Sequence, residues 1–253
     1  MDLWLFVPGV IVVAAVFLDA FLTAVASINL GGPLTRYVSL GLWSLARRSA
    51  RSHRSWALTG AGPAVILGML TTWMLGLWAG WTLIFSAGPD AIIATADGQA
   101  ADLWSRVYFA GFTVFTVGLG DYAPDGPLWQ VLTVAATANG FVLITMTVSF
   151  LIPVIGGVAQ RREVGSLVHG LGSDAQELVV SGWDGAGFEP LQPYLHQLVP
   201  EIATLGQRFQ SYPLLHYFHS RDRAAALEPG IATLDEALCI LEHGVDPSVR
   251  PHP

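Results

Sequence analysis

Three stretches of this chain are apolar over a length that can cross a lipid hydrocarbon core, and that restricts the fold more than any other feature. Leu3 to Ile28 is interrupted only by Asp19, Thr23 and Ser27. The second run extends from Trp56 or Ala57 to Phe85, and the third from about Leu128 to Val154. At about 1.5 Å per helical residue each covers the roughly 30 Å of a bilayer interior. Backbone amides have no water to bond with there, so each run must be a helix. Composition agrees: 53% of the 253 residues are hydrophobic and 12% are charged, about half the charged fraction of a soluble domain. The Met1-Asp2 start lacks a basic region and its apolar run is too long for a removable signal peptide, so the first run is expected to be a resident helix. One cysteine, Cys239, allows no intrachain disulfide and is expected to be a buried thiol.

Orientation follows from arginine, which supplies all of the basic residues. Arg36, Arg47, Arg48, Arg51 and Arg54 lie between the first two runs, and Arg161-Arg162 follow the third. Ser86 to Ala101 contains acidic but no basic residues. Positive charge collects on the cytoplasmic side, which places the N-terminus outside and the C-terminus in the cytoplasm of a plasma membrane, with a prokaryotic cell expected. The arginines need no nucleic acid to explain them, and anionic lipid is a candidate contact. From Pro33 to about Leu45, Leu34, Tyr37, Val38, Leu42 and Leu45 share one helical face, as in a helix lying in the membrane interface.

Between the second and third runs stands Thr116-Val117-Gly118-Leu119-Gly120-Asp121, preceded by a short segment, Asp102 to Phe115, with helical spacing of Leu103, Val107, Ala110 and Val114. Glycines two residues apart also occur in surface turns. A turn of that kind rarely lies between an aromatic amphipathic segment and a membrane-length helix. Gly118 and Gly120 can take positive φ without steric cost, which a backbone turning successive carbonyls to one side requires. Asp102 suits the positive end of the short helix, with Arg106 four residues on as an ion-pair partner.

The stretch differs at one position from Thr-Val-Gly-Tyr-Gly, and the chain resembles the pore-loop potassium channels over about Ala57 to Val158. The resemblance implies a pore domain of two spanning helices with a re-entrant pore helix and a filter loop. The first apolar run lies outside it, and with that run the expected fold is an all-α membrane protein with three spanning helices per subunit. The resemblance also implies that the carbonyls of Thr116, Val117, Gly118 and Leu119, with the Thr116 hydroxyl, stack potassium sites, that Gly120 completes the loop, and that Asp121 stands at the outer mouth. Gly140 lies 24 residues after Thr116, the offset of the hinge glycine in bacterial potassium channels, which makes it a candidate gating hinge with helix packing as the alternative. Pro153, followed by Gly156-Gly157, is a candidate kink or gate. Leu119 replaces the usual Tyr and loses its hydroxyl tie. Phe112 stands where some of these channels place a Glu, and Phe115 where a Thr often precedes the filter. Tyr108 lies where an aromatic can bond Asp121. One loop supplies a quarter of a ring, so a homotetramer is implied.

The expected organisation is a first helix and interfacial helix over 1–55, a pore domain over 56–160, and an all-helical cytoplasmic domain over 161–253. In the last part, helices are expected at Val164–Val180, Pro190–Tyr212, with a break at Pro200 as an alternative, and Arg223–His243, with a short turn at Pro213 to Ser220. His196, His216, His219 and His243 raise a metal site, against which Tyr212 to His219 reads as a packed aromatic seam. Thr133, Thr137, Asn139, Thr145, Thr147 and Ser149 suit a helix facing a water-filled cavity. Asp19, with Thr23 and Ser27 on the same face, is an intramembrane acid that either joins in gating or is hydrogen-bonded and orients its helix. The expected function is passive, selective potassium permeation, with potassium ions as the permeant species, no organic cofactor and no catalysis. A weakly selective cation channel and a non-conducting receptor or scaffold stay open.

Overall fold

The computed structural model describes residues 1–24, 31–50 and 56–250. The protein is an all-α membrane protein. Its helices are α1 (Leu3–Ala24), α2 (Pro33–Ala50), α3 (Trp56–Thr59), α4 (Ala61–Ser86), α5 (Leu103–Val114), α6 (Pro127–Leu171), α7 (Ala175–Ser181), α8 (Gln192–Ser211) and α9 (Leu227–His243). Strand β1 (Ile92–Ala94) pairs antiparallel with β2 (Tyr122–Pro124), Ile93 lying opposite Ala123. Among the described residues α1, α4 and α6 are long and apolar enough to span a membrane. Ser27 lies outside the described residues, as do Arg51 to Arg54.

The chain forms two compact units. The first comprises Met1–Gly41 and Ile66–Leu151. Its α1 and α4 approach through small residues: a Cβ added to Gly9 would fall 2.8 Å from the Gly80 carbonyl, and one added to Gly76 2.7 Å from Val16. In lipid, where apolar surface alone gives helices no reason to associate, such backbone contact provides the packing attraction. Trp73, Leu77, Ile84, Phe85 and Phe109 are fully buried here, and Phe85 meets Phe109 edge to face at 5.0 Å between ring centres, a favoured aromatic geometry.

The second unit comprises Leu42–Val65 and Ile152–Pro253. Val168, Leu178, Leu198, Leu234 and Leu241 form one buried cluster and Val164, Leu205 and Leu227 another, so the end of α6 is itself a core element. Arg161 is buried among them: it donates to the Leu215 carbonyl at 2.9 Å, pairs with Glu228 and lies over the Phe209 ring. Burial raises the Glu228 carboxyl, but its own backbone amide and the Arg161 guanidinium outweigh this and hold it below the ordinary range.

Several expectations change. The third spanning helix continues through Pro153 and Gly156-Gly157 to Leu171 instead of ending near Val154. Apolar Val164 and Val168 give its C-terminal extension a core to pack in, which overrides the local proline and glycine signals. Consequently the expected 164–180 helix is divided at 172–174, with Asp174 capping α7 through the Glu177 amide. Helix α8 passes through Pro200 unbroken. Arg223–Ala225 is a 3-10 turn preceding α9. Cys239 is exposed, not buried. The aromatic seam is found: His216 packs on Phe209 at 4.8 Å and His219 stacks on Trp43 at 5.3 Å.

Candidate functional site

The short helix α5 starts as its sequence dictates. Asp102, in an extended conformation, accepts a hydrogen bond from the Ser105 amide at 2.8 Å, and bonding from Ser105 holds its carboxyl below the usual range. Arg106 does not form the expected ion pair with it. Its guanidinium donates to the carbonyls of Ala101, Ser86 and Pro89, because three unpaired loop carbonyls match its planar set of donors better than a carboxylate already engaged in capping.

Past α5 the backbone enters Thr116–Asp121. Gly118 and Gly120 have φ of +63° and +85°, as their residue type requires, and Thr116 joins them at +58°. Left-handed residues thus alternate along 116, 118 and 120. A backbone alternating in this way can turn successive carbonyls to a common side. A Cβ at Gly118 or Gly120 would meet nothing within 4 Å, so dihedral strain and not space excludes a side chain there. The helix end holds the inner half: the amides of Val117 and Gly118 donate to the Phe112 carbonyl at 2.8 and 3.3 Å, and that of Thr116 to Thr113 at 3.1 Å. The side chains of Thr116 to Asp121 are all exposed in the single subunit.

The outer half has a separate set of ties. Tyr108 donates to Asp121 Oδ2 at 2.8 Å, so these two site residues do meet. That bond pushes the phenol up and keeps it a donor. Tyr122 accepts from Ser105 Oγ at 2.8 Å. Thr95, on the turn after β1, donates its hydroxyl to the Gly120 carbonyl at 2.6 Å and its amide to the Asp121 carbonyl at 3.0 Å. Sequence reading missed Thr95 and Tyr122, since a three-residue strand leaves almost no periodic trace.

Gly140 lies far along the chain from this loop yet touches its base. A Cβ at Gly140 would fall 1.8 Å from the Val114 carbonyl oxygen, so α6 crosses the end of α5 at backbone contact. Pro153 lies farther along α6, within continuous helix. Three of the α6 threonines need no cavity water: Thr133, Thr137 and Thr145 donate to carbonyls one turn earlier in the same helix.

Asp19 is elsewhere in the first unit and is 1% exposed. Its Oδ1 accepts from the Leu34 amide at 2.7 Å, and its Oδ2 from the Thr35 amide at 3.1 Å, the Thr35 hydroxyl at 2.7 Å and the Trp73 indole at 2.8 Å. The carboxylate therefore caps α2, whose first turn has free amides and a positive dipole end, and ties that turn to α4. Thr23 shares the cluster, accepting from the Gly32 amide at 2.8 Å. Asp19 is thus hydrogen-bonded between α2 and α4.

The model of the family described as "Ion channel" matches residues 68–156, a span holding most of α4, all of α5, Thr116–Asp121 and Gly140. A membrane protein of Bacillus subtilis (strain 168), YdjJ, described as uncharacterized, is 33% identical over 246 residues, which are 97% of this chain and 72% of that protein. The chain belongs to the pore-loop ion channel family. No solved structure matches it. In this ion channel the likeness to YdjJ extends beyond residues 68–156 to α1, α2 and the C-terminal helices. A membrane location and passive ion conduction follow from membership.

Proposed function

We propose that the protein is a potassium-selective channel, formed by four copies around one axis, through which potassium permeates passively. The supporting observation is the alternation of left-handed residues at Thr116, Gly118 and Gly120, which gives each copy a row of carbonyls facing one way. Such a row can replace the hydration shell of a potassium ion only when a ring of copies surrounds it. Thr116, Val117, Gly118, Leu119 and Gly120 are the filter in this reading, Asp121 and Tyr108 its outer mouth, and potassium the cargo. Gly140 supports the base of α5 and serves as the hinge against which α6 moves, with Pro153 weakening the helix nearer the cytoplasm. The pore loop enters from outside. Arg47 and Arg48, at the exposed end of α2, face anionic headgroups.

Leu119 specifically favours a second reading, a weakly selective cation channel, because it brings no hydroxyl to the loop. Purified protein in liposomes separates the possibilities. Reversal potentials in mixed potassium and sodium that follow potassium support the selective channel, and values near zero under opposed gradients support the weakly selective one. An intact tetramer without flux would leave a receptor or scaffold.

A further inference from the structure

Within the single subunit, the outer half of the 116–121 loop is not held by packing. No side chain lies near the Cβ positions of Gly118 or Gly120, and Leu119 is 54% exposed with a side chain that carries no donor. A glycine peptide held by dihedral preference alone rotates easily, because both faces of its backbone are open. Something else must fix the carbonyls at this end.

The geometry points to Thr95 as the positioning residue that sets the outer end of the ion-conducting loop. Its hydroxyl and its amide bond consecutive carbonyls, those of Gly120 and Asp121, so one residue fixes two successive peptide planes. Thr95 is also rigidly mounted. It follows β1, whose Ile92 and the preceding Ala91 are fully buried, and the Asp125 amide donates to Ala91 at 3.0 Å. The far side of the turn is closed by the Ala94 amide to Gln99 at 2.9 Å and by the Gln99 amide to Asp97. Arg106 fastens both ends of the segment from Ser86 to Ala101. Together with the Tyr108 bond to Asp121, this brace stands in for a hydroxyl that Leu119 does not carry. Its consequence for conduction rests on the channel reading above.

The test compares Thr95→Val, which keeps the shape and amide but loses the hydroxyl, with Thr95→Ser, which keeps the hydroxyl, in the full-length protein. In liposomes at low external potassium, Thr95→Val should lose current roughly two- to tenfold faster than wild type, the factor expected for one hydrogen bond. Thr95→Ser should hold it. Amide hydrogen exchange over 117–123 should rise by a similar factor in Thr95→Val alone. Equal current decay in Thr95→Val and wild type overturns the inference, and so does a Thr95→Ser protein as defective as Thr95→Val. If wild type passes no potassium, the channel reading fails by itself and exchange decides: a rise confined to Thr95→Val upholds the brace, and unchanged exchange ends it.

Discussion

Replacing Asp19 by Asn tests whether a buried carboxylate holds the N-terminal helices together. Four donor groups converge on it: the amides of Leu34 and Thr35, the Thr35 hydroxyl and the Trp73 indole. Asn offers one oxygen. Whichever way its amide turns, the NH2 group faces an N–H, either that of Leu34 or that of Trp73. An unpaired buried donor costs about 1–3 kcal/mol, and the remaining bonds lose charge assistance, which roughly doubles their strength. The total is about 3 kcal/mol, or about 6–12 °C in melting midpoint for a chain of this size. Thermal unfolding of the purified protein in detergent measures it. Trp73→Phe, which removes the indole donor and shrinks a fully buried side chain, should cost about 1 kcal/mol for the lost hydrogen bond plus the cost of the cavity it leaves. Combined with Asp19→Asn it should be less than additive by about the hydrogen-bond share, since the NH2 can then face the empty position. Potassium-to-sodium selectivity should not change, because none of these groups bonds the 116–121 loop. A midpoint for Asp19→Asn within about 1 °C of wild type would refute the reasoning.

Other perturbations reach the remaining elements. Gly118→Ala should abolish flux in liposomes while the protein still assembles, because a Cβ is strained at φ +63° though nothing crowds it; normal conduction would remove Gly118 from the pore. Gly140→Ala places a methyl 1.8 Å from the Val114 carbonyl, so α5 and α6 must separate, with overpacking of about 1–3 kcal/mol or more seen as a lower melting midpoint; unchanged melting would contradict the crossing. Glu228→Gln leaves Arg161, whose side chain is 6% exposed, with the Leu215 carbonyl but no counter-charge, and should loosen the second unit in hydrogen exchange around 215 and 228. The same contact should fail in acid. The folded Glu228 carboxyl is lowered, so its contribution is complete above the ordinary glutamate value of about 4.3 and is lost as pH falls through the lower folded value. Its 61% side-chain exposure keeps the effect small.

Legible in the residues alone were the spanning helices, α5 with its Asp102 cap, and the positive φ of Gly118 and Gly120; the Tyr108–Asp121 contact was expected only from the family resemblance. Each of the first three rests on a property local in sequence: apolar length, a capping side chain, or the conformational freedom of glycine. The remaining contacts depend on how distant segments meet. Arg106 chose loop carbonyls over Asp102, Thr95 reached the 116–121 loop across a strand pair, and α6 ran on past Pro153 because Val164 and Val168 had partners distant in the chain. Asp19 shows both parts. Its burial and polarity announced a special role, but the donors that bond it come from Leu34, Thr35 and Trp73, and chain folding alone brings them together. Local rules fix which conformations a segment can adopt; which partners satisfy its polar atoms is a property of contacts between segments, and those are not written in any one of them.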